Sequence, residues 1–128
     1  MYVCDTHALI FYLADELPEK LNSVFAAAEN QKTVIYIPSI VIAESIHLKE
    51  RGKVDFNIKD MFSRLEKSDS YFVIVPLNTT ILKMLPDMKK ITEIHDKIIA
   101  TTALLFNSVL ITKDSEIVES AYVKTLWS

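Results

Sequence analysis

Four acidic residues of this sequence occupy surroundings in which a carboxylate is costly. A buried carboxylate is tolerated when it is paired, hydrogen-bonded or bound to a metal. Few cations lie near these acids in sequence, Lys97 and Lys113 being the main ones. The four are Asp5 after "MYVC", Glu44 within "SIVIAESIHL", Asp96 within "IHDKIIATTALLF", and Asp114 at the end of "VLITKD".

The residue types predict a metal-assisted reaction at these acids. Each acid alone has a structural interpretation, since Asp5 or Thr6 could cap a helix and Asp96 could stabilise a helix start. Glu44 lies more than a turn inside its predicted helix and has no such role. Clustered carboxylates repel each other unless a cation lies among them. A hard divalent cation, Mg²⁺ or Mn²⁺, suits oxygen ligands, and it would support hydrolysis of phosphoryl esters.

The elements that must position these acids alternate between strand and helix. Apolar runs predict strands at Met1–Asp5, Thr33–Ile37, Tyr71–Val75, Val109–Thr112 and Tyr122–Leu126. Longer helical patterns lie between them, with Ser39 predicted as one N-cap and Asn107 as a left-handed helix end. This alternation predicts an α/β fold, a three-layer α/β/α sandwich with a central parallel sheet. Asp5 and Asp114 then follow strand ends, where such folds bind ligands.

Composition limits the possible classes of protein. A chain of 128 residues fits one domain, residues 1–128, with its own core. The single glycine, Gly52, excludes glycine-rich phosphate loops. Cys4 has no partner for a disulfide, and we expect a small buried hydrophobic residue there. No apolar run is long enough to span a membrane and no secretory signal is visible, so we expect a cytoplasmic protein.

Three stretches together resemble the PIN-domain ribonucleases, specifically the small toxins of the VapC type. They are "VCDTHALIFYL", "IPSIVIAES" and "HDKIIATTALLFNSVLITKD", and with their order they span nearly the whole chain. The resemblance implies a parallel sheet that gathers acids around Mg²⁺ or Mn²⁺ for cleavage of single-stranded RNA. It also implies a cognate antitoxin protein as partner and a homodimer.

The resemblance also implies a role for each acid. Asp5 and Asp96 correspond to direct metal ligands, and Glu44 and Asp114 complete the cage, in part through water. Two departures stand out. Some relatives carry a further acid about three residues after the fourth, where this chain has Ile117. Either Glu116 takes the role of that acid or no residue does. The family often has glycine where this chain reads "FNSV", and Asn107 is expected to replace it. Thr6 and Thr112 are candidates for hydroxyl support of the site, with ordinary hydrogen bonding at the strand ends as the alternative.

The net charge of −3 argues at first against a nucleic-acid partner. Assigning four of the 17 acids to a metal site leaves 13 acids against 14 lysines and arginines, a balance of +1. RNA binding is therefore compatible with the composition, with modest affinity and steep salt dependence. His95 could contact RNA phosphate or cap its helix. The lysines that could line an RNA path are Lys49, Lys53, Lys89, Lys90, Lys97 and Lys113.

Three other classes of protein share part of this pattern of acids. A non-catalytic interaction domain of PIN-like fold would have lost its metal ligands, whereas all four acids are present. A phosphatase of the haloacid dehalogenase type needs a second Asp two residues after the first, and this chain has His7 there. A receiver domain needs paired acids early in the chain and a phosphoacceptor on a central strand.

Overall fold

Five short strands and seven helices alternate along the chain. A computed structural model describes all 128 residues. Its elements, in chain order, are β1 (Tyr2–Cys4), α1 (Thr6–Leu13), α2 (Glu19–Glu29), β2 (Ile35–Pro38), α3 (Ser39–Glu50), α4 (Ile58–Leu65), β3 (Phe72–Val75), α5 (Thr79–Met84), a 3₁₀ turn (Leu85–Asp87), α6 (Ile94–Leu105), β4 (Val109–Ile111), α7 (Ser115–Ser120) and β5 (Thr125–Leu126). No helix is both long and apolar enough to cross a membrane.

The strands form one fully parallel sheet in the order β3-β2-β1-β4-β5. The central strand β1 pairs with β2 on one side and with β4 on the other. Parallel strands require crossover connections, and the helices supply them. The predicted three-layer α/β fold is therefore confirmed. Because all strands run the same way, the residues that follow β1 and β4 leave the sheet at the same edge.

The core is apolar and continuous around the central strand. Val3 and Cys4 of β1 are fully buried, as expected for Cys4. Burial also raises the pKa of the Cys4 thiol, with the nearby Asp5 carboxylate adding to the effect. On the side of the core that α1 and α2 form, the Tyr12 ring stacks on the Phe25 ring with centroids 4.7 Å apart. This packing holds α1, and the acid that precedes it, against the sheet.

Helix ends agree with the sequence pattern at most positions. Asn78 accepts a hydrogen bond from the Ile81 N–H and caps α5, and Asn107 has the left-handed conformation predicted for it, with φ of 49°. The predicted N-cap at Ser39 is wrong. The N-cap is Pro38, and α3 begins at Ser39. The Ser39 hydroxyl oxygen instead accepts a hydrogen bond from the Leu77 N–H at 3.2 Å.

All five strands are shorter than the apolar runs that predicted them, the second and the last most visibly. The second begins at Ile35 rather than at residue 33, and the last covers only Thr125–Leu126. The β5 ladder is limited by its partner, since only Leu110 and Ile111 of β4 pair with it. The boundary depends on pairing, which local composition does not determine.

Candidate active site

An open cleft of about 550 Å³ lies at the carboxyl edge of the sheet. Ten residues line it, and only one of them is hydrophobic. All four acids singled out from the sequence are among them. The lining consists of Asp5, Thr6, His7, Glu44, Glu93, Asp96, Ile99, Lys113, Asp114 and Ser115.

Asp5 occupies the junction between β1 and α1 and is almost fully buried. Its Oδ1 accepts a hydrogen bond from the Ala8 N–H at 2.8 Å, so it caps α1 as well as facing the cleft. Burial raises the pKa of Asp5, and the charge of Asp114 adds to this, whereas the Thr112 hydroxyl, the Ala8 N–H and His7 oppose it. The cap fixes one carboxylate oxygen and leaves the other without a backbone partner.

Glu44 reaches the cleft from the second turn of α3. Its Oε1 accepts a hydrogen bond from the Thr6 hydroxyl at the start of α1, and its Oε2 lies 3.7 Å from His95 Nδ1. The carboxylate is therefore held from two sides by groups of two other helices. The Thr6 hydroxyl therefore bonds directly to one of the four acids.

Asp96 lies in the first turn of α6, and its carboxyl has the most strongly shifted pKa of the cleft. Its pKa is raised to about 7, first by burial and then by the charges of Asp114, Glu93, Glu44 and Asp5. Four carboxylates therefore act electrostatically on a fifth within one cleft. A group in such surroundings is either protonated near neutral pH or ionised next to a bound cation.

Asp114 follows β4 and caps α7. Its Oδ1 accepts a hydrogen bond from the Ile117 N–H at 3.0 Å, and its own N–H donates to the Thr112 hydroxyl at 3.1 Å. Asp5 and Asp114 thus hold equivalent places, each at the end of a parallel strand and at the start of a helix. The neighbouring strands β1 and β4 bring them to the same edge.

Glu93 is a fifth acid of the cleft that the sequence did not single out. It caps α6 by accepting a hydrogen bond from the Asp96 N–H at 2.8 Å. Its other oxygen lies 2.5 Å from His95 Nδ1. Its pKa is lowered, because these hydrogen bonds outweigh its burial. Glutamate is not among the preferred N-cap residues, so no capping signal in the sequence indicates Glu93.

His95 is held between two glutamates and is not the exposed cap considered above. The hydrogen bond with Glu93 raises its pKa, and the charges of Glu44, Glu93 and Asp96 add to this. The acidic partners favour the imidazolium, so the raised pKa widens the pH range over which His95 carries positive charge beside Glu44 and Glu93.

Several other candidate residues lie outside the cleft. Glu116, considered as the further acid, turns away and accepts hydrogen bonds from the Thr92 N–H and hydroxyl at 2.7 and 2.9 Å. It ties α7 to the segment before α6. Of the lysines proposed for an RNA path, only Lys113 lines the cleft.

The donor set fits a hard divalent cation, although no ready-made geometry is present. No three carboxylate, imidazole or thiol groups are arranged as a group that could hold a metal ion. Asp5, Glu93 and Asp114 each accept a hydrogen bond as a helix cap. The cleft nevertheless presents five carboxylates, and oxygen ligands of this kind suit Mg²⁺ or Mn²⁺.

The chain belongs to the PIN domain family, whose model matches residues 2–121. No protein of curated function matches the sequence.

Solved structures share the fold over almost the whole chain. One is a chain of VapBC2 from Rickettsia felis bound to a DNA fragment from its promoter, with a TM-score of 0.73 and 17% identity over 99% of this chain and 98% of that one. Another is DNA-bound VapBC from Salmonella typhimurium, with a TM-score of 0.71 and 17% identity over 98% of this chain and 96% of that one. A third is FitAcB from Neisseria gonorrhoeae, with a TM-score of 0.65 and 21% identity over 98% of this chain and 96% of that one. At these identities the similarity concerns the fold.

Proposed function

We propose that this chain is a metal-dependent endoribonuclease that hydrolyses phosphodiester bonds of single-stranded RNA. We further propose that residues 1–128 form one domain acting in the cytoplasm as the toxin of a type II toxin–antitoxin pair. The observation that carries the proposal is the meeting of Asp5, Glu44, Asp96 and Asp114 in one cleft of a PIN-family chain. These acids come from four different elements, so that their shared cleft is a product of the fold.

The cleft residues have distinct proposed roles. Asp5 and Asp96 hold Mg²⁺ or Mn²⁺ directly, while Glu44 and Asp114 complete the site, in part through water. When bound, the cation supplies a water of lowered pKa and offsets the charge of the phosphodiester. Thr6 keeps the Glu44 carboxylate turned into the cleft through its hydrogen bond.

Glu93 and His95 act on the charge and shape of the same site. Glu93 fixes the first turn of α6, and therefore the place of Asp96, through the Asp96 N–H. His95 adds positive charge beside Glu44, which lowers the repulsion that a phosphate group meets on entering. Both roles follow from contacts within this chain.

Partners are proposed from the resemblance to VapC-type toxins. Two of the structural neighbours are VapBC complexes, and we propose a cognate antitoxin for this chain and a homodimeric state. Induction of the wild-type protein in a bacterial host is expected to arrest growth, whereas the Asp5→Asn variant is not. Light scattering of the purified protein measures the dimer.

The enzymatic proposal is tested with a labelled single-stranded RNA in MgCl₂, in MnCl₂ and in EDTA. Wild type and Asp15→Asn, which changes an exposed acid of a turn, are expected to cleave with metal and not with EDTA. Asp5→Asn and Asp96→Asn are expected to lose cleavage while remaining folded by circular dichroism. Undiminished cleavage by both folded variants would contradict the site assignment.

A second candidate is a non-catalytic PIN-like interaction domain. The helix caps made by Asp5, Glu93 and Asp114 favour it, because each of these carboxylates already has a structural role. Thermal denaturation with and without MgCl₂ or MnCl₂ separates the two, because a ligand that binds only the folded state raises the melting temperature. A wild-type protein that neither cleaves RNA nor gains stability with either metal would contradict the enzyme and support this second candidate.

A further inference from the structure

Two aromatic rings and one lysine form a cluster beside the cleft. The rings of Phe11, on α1, and Trp127, just after β5, meet edge to face with centroids 5.7 Å apart. Lys113 Nζ lies 5.1 Å from each ring centroid. Both rings are partly exposed, and Lys113 is exposed. We call these three residues the aromatic–lysine cluster.

Sheet register places the cluster at the same edge as the acids. Ile111 of β4 pairs with Leu126 of β5, and the Thr112 N–H donates to the Leu126 carbonyl at 3.1 Å. Trp127 directly follows Leu126 and Lys113 is the second residue after Ile111, so both residues come just after the carboxyl ends of paired parallel strands. Asp114 follows Lys113 directly, so the cluster borders the cleft.

Charge indicates what this border can bind. Lys113 is the only lysine or arginine among the residues that line the cleft, where five carboxylates are present. It makes no salt bridge, since the ion pairs of the chain involve other residues. An exposed cation–π contact is weak, and a charge-assisted bond to a phosphate is stronger. The ammonium group is therefore available to an anion at the mouth of the cleft.

We propose that the aromatic–lysine cluster is a nucleotide-binding subsite that stacks one unpaired base of the RNA next to the bond being cut. The base packs against Phe11 and Trp127, and the Lys113 ammonium contacts the adjoining phosphate. This inference rests on the proposed ribonuclease function and adds the element that selects single strands, because only an unpaired base exposes a free face for stacking. Aromatic stacking accepts any base, so the subsite contributes affinity with little sequence preference.

Trp127 is the only tryptophan of the chain and reports on its own environment. The probe is a 12-residue oligoadenylate with phosphorothioate linkages, which slow cleavage, titrated in MgCl₂ while tryptophan fluorescence is followed. We expect quenching with oligoadenylate and none with an abasic oligomer of the same length and linkages. Equal quenching by the abasic oligomer would indicate phosphate binding alone and overturn the proposal.

Variants give a second readout through the anisotropy of the labelled oligoadenylate. Trp127→Ala is expected to raise Kd about tenfold, while Trp127→Phe, which keeps a ring, retains most of the affinity. Lys113→Ala is expected to lower the slope of log Kd against log salt by about 0.7, the value for one phosphate contact on a single strand. Lys32→Ala is the control, because Lys32 is exposed and precedes β2, at the opposite end of the sheet from the cleft.

Cleavage of an unmodified RNA, measured in parallel, separates this proposal from the ribonuclease assignment. Cleavage by the wild type, together with an unchanged Kd for Trp127→Ala, overturns the subsite and leaves the enzyme standing. Absence of cleavage with either metal overturns the enzyme. Absence of any fluorescence change with oligoadenylate overturns the subsite, whatever the cleavage result.

Discussion

Replacing Asp96 by asparagine is expected to stabilise the metal-free protein above neutral pH. The pKa of Asp96 is raised from 3.8 to about 7, by burial first and then by the surrounding carboxylates. A rise of this size corresponds to about 4 kcal/mol of unfavourable interaction for the ionised form. Asp96 is only partly buried and lies near a helix N-terminus, so solvent screening and the helix dipole reduce the expected effect to about 2 kcal/mol.

The sign follows from proton binding. Between pH 4 and pH 7 the folded protein keeps a proton on Asp96 that the unfolded chain has lost. The free energy of unfolding therefore falls as the pH rises through this range. Asparagine is neutral at every pH. The gain in the free energy of unfolding of Asp96→Asn over wild type is therefore close to zero at pH 4 and reaches its full size by pH 8.

Urea denaturation in EDTA at pH 4, 6 and 8 measures the effect on wild type and on Asp96→Asn. At pH 8 the gain of about 2 kcal/mol corresponds to a melting temperature higher by about 7 °C for a chain of this length. Asp15→Asn is the matched control, since Asp15 is exposed and already has a positive φ that asparagine tolerates. A gain independent of pH, or the same gain in Asp15→Asn, would refute the reasoning.

Two further predictions concern the core and a helix end. Phe25→Ala is expected to lower the free energy of unfolding by about 3–5 kcal/mol, because Phe25 is 1% exposed and stacks on Tyr12, and urea denaturation measures the loss. A loss below 1 kcal/mol would show that the packing of Phe25 on Tyr12 contributes little to the stability of the core. Ala121→Gly is expected to stabilise the protein by about 0.5–1 kcal/mol, because Ala121 ends α7 with a φ of 59°, a conformation that favours glycine. A lower melting temperature for this variant would contradict the assigned backbone conformation.

Much of the fold follows from local patterns. The apolar runs predicted all five strands, and the alternation with helices predicted a parallel sheet. The left-handed turn at Asn107 was also predictable, because asparagine tolerates that conformation. Errors concentrate at element ends, such as the N-cap at Ser39 and the start of β5. Such ends depend on partners distant in sequence, which local composition does not reveal.

The sequence by itself determined which acids stand in apolar surroundings. A carboxylate beside a buried strand is visible from the neighbours of Asp5 and Asp114, because its cost of burial is a local property. Only the tertiary structure decided which other residues share their cleft. Glu93 lines it and Glu116 does not, although both are acids at helix starts, because Glu116 is bound to Thr92.

The same distinction applies to the aromatic–lysine cluster. Trp127 and Phe11 are 116 positions apart in the sequence, and no periodicity relates them. They meet because β5 pairs in parallel with β4 and because α1 starts at the end of β1. Strand pairing is set by long-range packing, and it brings Lys113 and Trp127, which follow β4 and β5, to the edge where the acids gather.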